Sequence, residues 1–156
     1  MADDATDPIN EALYAALAGD LQLGAFYVSL FGQQGAPQGG VWNVQADDGT
    51  PLPFVTFRAL TPGYGYTFGG PAEERYPYEF TAWAEDRDGV MTGEQICSTL
   101  VGHVRRVLTD AQLSIAGYEL LNCRPYTGVP PAASQGPNAR DQVSQGVRFE
   151  ILVDRP

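Results

Sequence analysis

The sequence predicts an α+β domain: a mostly antiparallel sheet of four to five strands, two helices packed on one of its faces, and long loops. Three observations lead there. Two segments carry apolar residues at helical spacing, several others alternate apolar and polar residues, and stretches rich in glycine and proline separate them. The chain of 156 residues has the size of one domain, with 1–7 as a flexible acidic tip. A domain of this length buries roughly two thirds of its unfolded surface and needs no disulfide or metal to hold together. Its 44% apolar and 18% charged residues, with eight tyrosines, seven phenylalanines and two tryptophans, exclude a disordered chain.

Each element has its own signal. Asp7 and Pro8 form an N-cap followed by proline at the first helical position, and Ile9, Leu13, Ala16 and Leu17 then make one stripe that Gly19 ends. Residues 21–30 have a mixed pattern interrupted by Gly24 and are expected to be a loop, with a short extended piece around Phe26 to Val28. Residues 32–40 are polar and glycine-rich, as a mobile loop would be. Val41 to Gln45 predicts a short strand, Asp48 and Gly49 a turn, and Pro53 to Leu60 a second strand, together a hairpin. Residues 61–72 are irregular and carry Tyr64, Tyr66 and Phe68. In the strand from Tyr76 to Trp83 the residues Tyr76, Tyr78, Phe80 and Ala82 share a face, and Pro77 favours an edge position or a bulge.

Thr92 and Gln95 match a capping box. The helix that follows, to about Asp110, buries Ile96, Leu100, Val104, Val107 and Leu108. Leu113 to Ile115 and Tyr118 to Arg124 give a strand region kinked at Gly117, and 129–138 a loop. Gly146 to Asp154 closes the chain as a strand with Val147, Phe149, Ile151 and Val153 on one face.

Charge narrows the function. Nineteen acids face nine bases, all arginine, for a net charge of −10. Nucleic-acid recognition through phosphates needs a basic patch, and so does adhesion to an anionic membrane. No apolar run is long enough to span a bilayer, and the acidic N-terminus lacks the order of a secretory signal, so a cytoplasmic location is expected.

The search for chemistry returns little. His103 is the one histidine and falls on an apolar helix stripe, and no GxSxG motif supplies a nucleophile beside it. Cys97 and Cys123 are widely spaced and are expected to be small core hydrophobes, with a disulfide or redox pair as the other reading. Neither zinc nor any cofactor has its ligand set. Without lysine there is no phosphate-binding P-loop, and the run from Gly63 to Gly70 does not open a helix after a strand. Asp47 with Asp48, Glu73 with Glu74, and Glu85 with Asp86 and Asp88 fall at turns and strand ends, where acids are ordinarily solvated. Asp86 to Gly89 starts like a calcium loop, but the later ligands are missing. Long loops bearing aromatics suit a partner better than a substrate.

The order of segments resembles that of a known family. A helix over Ile9 to Leu17, a Leu-Pro-Phe-Val-Thr-Phe strand (Leu52 to Phe57), an aromatic strand ending Phe80-Thr81-Ala82-Trp83-Ala84, the helix at 93–110 and the last strand Gly146 to Ile151 look like the tail terminator, or tail-completion, proteins of long-tailed bacteriophages. Segments 21–40 and 125–145 are longer than that family's pattern.

The resemblance implies a non-enzymatic virion subunit assembled in the host cytoplasm into a homohexameric ring. Such a ring caps the tail tube, ends its polymerisation and joins the tube protein to the head connector or neck protein. DNA passes through the lumen without sequence recognition, and no membrane is involved. Candidate contact residues are Tyr64, Tyr66 and Phe68 for docking, Tyr76 and Tyr78 at a sheet edge, and Arg105 and Arg106 for pairing with acids of a neighbouring subunit. The acidity would let phosphate slide through the lumen, or would serve solubility alone. Two other readings stay open: a neck adaptor of the same virion, and a small-molecule-binding domain or enzyme with His103 or Cys97 pointing into a gap between sheet and helices.

Overall fold

The computed structural model describes residues 6–60, 66–67, 73–87, 89–133 and 142–154. The elements run α1 (Thr6–Ala18), α2 (Leu21–Phe31), a short 3-10 segment (Pro37–Gly40), β1 (Val41–Asn43), β2 (Phe54–Ala59), β3 (Tyr66–Thr67), β4 (Glu73–Ala84), α3 (Gly93–Leu108), β5 (Glu119–Ala133) and β6 (Val143–Asp154). One sheet has the order β1-β2-β4-β6-β5, with β3 paired to the start of β4. All pairings are antiparallel except β1 with β2. The α+β expectation holds.

The period-two alternation puts one face of the sheet in the core. Tyr76, Tyr78, Phe80, Ala82 and Ala84 of β4 are buried beside Val55 and Phe57 of β2 and Val147, Phe149, Ile151 and Val153 of β6. Phe80 is the hub, stacked on Phe57 at 5.8 Å and edge-on to Phe149 at 5.7 Å between ring centroids. Over this face lie α1, through Ile9, Leu13 and Leu17, and α3, through Ile96, Leu100, Val104 and Leu108. The predicted capping box of α3 is formed in both directions: Thr92 Oγ1 accepts from Gln95 N, and the Gln95 side chain accepts from Thr92 N.

Four expectations are corrected. Residues 21–31 form a helix, not a loop: the Asp20 carboxylate caps it by accepting from Leu23 N at 2.9 Å, and Leu23 and Tyr27, one turn apart, enter the core. Its ending is also fixed, since Arg87 donates to the Leu30 carbonyl at 2.8 Å and lies over the Phe31 ring. The segments before and after Asp48 make no hairpin, because β1 runs parallel to β2. Residues 129–133 continue β5 instead of forming a loop, accommodated by register shifts at Leu121, Tyr126 and Pro130 to Pro131.

The fourth correction concerns β4, which lies between β2 and β6 and is not an edge. Pro77 is tolerated there because β2 ends its register opposite Tyr78, and the Pro77 carbonyl still accepts from Leu60 N at 2.9 Å.

Candidate interaction surfaces

The residues expected to meet partners separate into three groups. Tyr64 and Phe68 lie outside the described residues, and Tyr66 begins β3 opposite Arg75. Tyr76 and Tyr78 are 2% and 0% exposed, so their rings are core and present no surface. Their hydroxyls are satisfied within the chain, Tyr76 donating to Glu74 Oε2 at 2.6 Å and Tyr78 to Asn10 Oδ1 at 2.8 Å. This corrects their reading as edge contacts: the same alternation that marks a strand aims them at the helices.

Arg105 and Arg106 are both exposed on the last turn of α3. They differ in engagement. Arg106 bonds the Asp20 carboxylate through both terminal nitrogens, at 2.5 and 3.3 Å, and so ties α3 to the start of α2. That hydrogen bond holds the Asp20 carboxyl below the usual carboxylate range. Arg105 makes no ion pair or hydrogen bond among the described residues. Its guanidinium reaches over β5, 3.5 Å from where a Cβ on Gly128 would stand.

Neither reactive candidate opens onto a gap. His103 packs on Phe26 with centroids 5.7 Å apart, and burial together with the Arg106 charge pushes its pKa down. Cys97 and Cys123 are free and buried, their thiols pushed up by burial to about 11 and about 12. Among the described residues no group of three metal-ligating side chains gathers, and no single helix is long and apolar enough to cross a membrane.

The second face of the sheet bears what the strands turn away from the core. Glu79 receives Arg58 at 3.4 Å and Arg148 at 3.0 Å, and Arg75 pairs with Glu150 at 3.2 Å. Three arginines here share two glutamates, so each of these charges is paired in place. Toward the β1 side the face ends in an open cleft of about 360 Å³, floored by Phe54, Thr56 and Trp83 and walled by the loop from Val44 to Leu52. Trp83 Nε1 donates to Thr56 Oγ1 at 3.1 Å, which fixes the indole. Asp47 and Asp48 stand exposed in that loop, without an ion pair among the described residues.

Val44 enters the loop at φ +69°, a left-handed conformation that a β-branched residue rarely adopts, while its N–H remains bonded to the Phe57 carbonyl at 2.8 Å. Sequence reading passed over this cleft because the acids looked like a solvated turn. The available signal was periodicity: Phe54 and Trp83 alternate with core residues and so must emerge on the other side.

Comparison with protein-family models and with curated proteins gives no match. Among solved structures, one chain 13% identical, aligned over 91% of this chain and 94% of its own, superposes with a TM-score of 0.47. Another, from a structure described as the virion of a native gene transfer agent particle, is 14% identical and aligns over 91% of both chains with a TM-score of 0.61. At that identity the likeness shows that the two chains share a fold.

Proposed function

We propose that this chain is a structural virion subunit of a phage-like particle. More specifically, it is a tail terminator that forms a hexameric ring on the end of the tail tube, stops its growth and presents a surface to the head connector. The observation that carries the reading is the shared fold with a gene transfer agent virion chain along nearly the full length of both. The segment order of the sequence supports it independently. So do the exposed apolar residues Val44, Leu121 and Tyr126 and the open cleft at the β1 side, which suit contact with a partner. Each copy adds a charge of −10 to the ring, and a lumen of that sign repels phosphate and lets DNA slide.

Electron microscopy of the purified protein mixed with tubes of the cognate tail tube protein tests this. The expected result is rings with an axial hole seated at one end of tubes that no longer lengthen. Tubes that keep growing, with no rings at any protein concentration, refute it. Rings that seat on the connector and never on tubes favour the neck-adaptor role instead. Retardation of DNA by assembled rings would remove the electrostatic account of the lumen.

A further inference from the structure

The two edges of the sheet are unlike, and their differences are complementary. Along the β5 edge, Tyr126 sits on a register shift and is 51% exposed. Pro125 and Pro130 remove donors from the same strand, so this edge is poorly suited to recruiting another strand and must be met by side chains. Arg105 projects over it. Every other described arginine is engaged: Arg58, Arg75, Arg106, Arg124 and Arg148 in ion pairs, and Arg87 with the Leu30 and Leu52 carbonyls. Arg105 alone among them has no partner.

At the opposite edge, the loop after β1 presents Asp47 and Asp48 at the mouth of the cleft, with Trp83 on its floor. Val44 is 65% exposed there, held outward by its left-handed backbone.

We propose that a second copy of this chain docks head to tail. The β5 edge of one copy lies against the β1-side loop of the next, Arg105 enters the cleft mouth between Asp47 and Asp48 above Trp83, and Tyr126 covers Val44. Charge complementarity selects the occupant. A chain with a net charge of −10 repels its own copies, so self-association needs a local contact of opposite sign to orient it. A guanidinium that meets two carboxylates and an indole gains both charge pairing and stacking on the aromatic face. The contact uses different surfaces on the two copies, so it repeats, and it closes into a ring where the rotation permits. This inference rests on the ring-forming reading and specifies which edges meet.

The test is charge reversal with rescue, measured as the concentration of full-length protein at which half the chains are in rings, with tubes present. R105E and the pair D47R/D48R are each expected to raise that concentration by at least about tenfold, and R105E/D47R/D48R to restore it to within about threefold of the unaltered protein. All these positions are exposed, and unchanged circular dichroism and melting temperature confirm that the variants fold. Rings that form equally well in each variant overturn the edge pairing while leaving the ring intact, as does loss without rescue. Loss of tube or connector binding in D47R/D48R with rings undisturbed gives the cleft to another protein and overturns it too. Absence of rings in the unaltered protein removes the ring reading itself, and this inference with it.

Discussion

Asp20 joins two interactions that can be separated by experiment. Its carboxylate caps α2 at Leu23 N and receives Arg106 from α3, and the side chains of the ion pair are 18% and 39% exposed respectively. Removing such a cap costs about 1 kcal/mol. A pair this accessible is screened by water and adds about 0.5–1 kcal/mol. Asp20→Ala should therefore destabilise the chain by about 1.5–2 kcal/mol, which for a domain of this size lowers Tm by about 3–8 °C. Asp20→Asn keeps an acceptor for Leu23 N and loses only the charge, so it should cost about 0.5–1 kcal/mol, as should Arg106→Ala. Urea unfolding at fixed protein concentration measures all three.

The acid limb supplies an independent check. Asp20 has a folded pKa below its unfolded value of 3.8, so its contribution is present above that value and disappears as pH falls through the lower, folded pKa. The gap between the unaltered protein and Asp20→Ala should narrow over that range. His103, 3.1 Å from the Arg106 guanidinium, has a depressed pKa, so protonating it also costs stability as pH falls. Its titration does not cancel between these variants, because the Asp20 charge raises the His103 pKa and the Arg106 charge lowers it, so the comparison is repeated in a His103→Gln background. Asp20→Asn as damaging as Asp20→Ala, or both within about 0.3 kcal/mol of the parent, would refute the assignment of this residue as the cap of α2.

Other positions give sharper contrasts. Tyr78→Phe should cost about 1 kcal/mol for the bond to Asn10, and Tyr78→Ala about 3–5 kcal/mol for the emptied core, both measured by denaturation; a neutral Tyr78→Ala would return Tyr78 to the surface. Gly40→Ala should fail to fold or melt far lower, because its Cβ would stand 2.2 Å from the Tyr27 ring at a φ of +71°. Cys97 and Cys123 should not react with a thiol reagent at pH 8 until the chain unfolds, when both titrate at once. Glu119→Gln should stabilise the chain by a few tenths of a kcal/mol at low salt, less at high salt, because Asp154 and Glu119 stand directly opposite each other on neighbouring strands.

What could be read in advance was whatever depends on spacing alone. The faces of α1, α3, β4 and β6 follow from periods of 3.6 and two, and the capping box at Thr92 follows from two residue types three apart. Strand order does not follow from spacing, so Pro77 pointed to an edge although its strand lies between two others. Helix α2 escaped for a different reason. Its sequence LQLGAFYVSLF is apolar all round and shows no stripe, while Gly24 suggested a break. The decisive signal lay just outside it, in a stop glycine at 19 followed by Asp20. Of the cleft, periodicity could turn Phe54 and Trp83 away from the core, but their meeting with the loop acids was illegible because only the fold brings the loop and the two strands together.

The placement of charge separates what the sheet does from what its borders do. In the middle of the second face three arginines are paired with two glutamates: Arg58 and Arg148 share Glu79, and Arg75 pairs with Glu150. Such a surface has little electrostatic reason to seek a partner. Among the described acids without an arginine ion pair, Asp47 and Asp48 lie in the β1-side loop, and Asp154 and Glu119 face each other where the strands end. Acids facing each other at a strand end oppose folding of the lone subunit, so selection for stability alone would not place them there. The one uncommitted described arginine stands at the opposite border from the acidic loop, and that opposition of sign is what the proposed head-to-tail contact would use to orient like-charged copies.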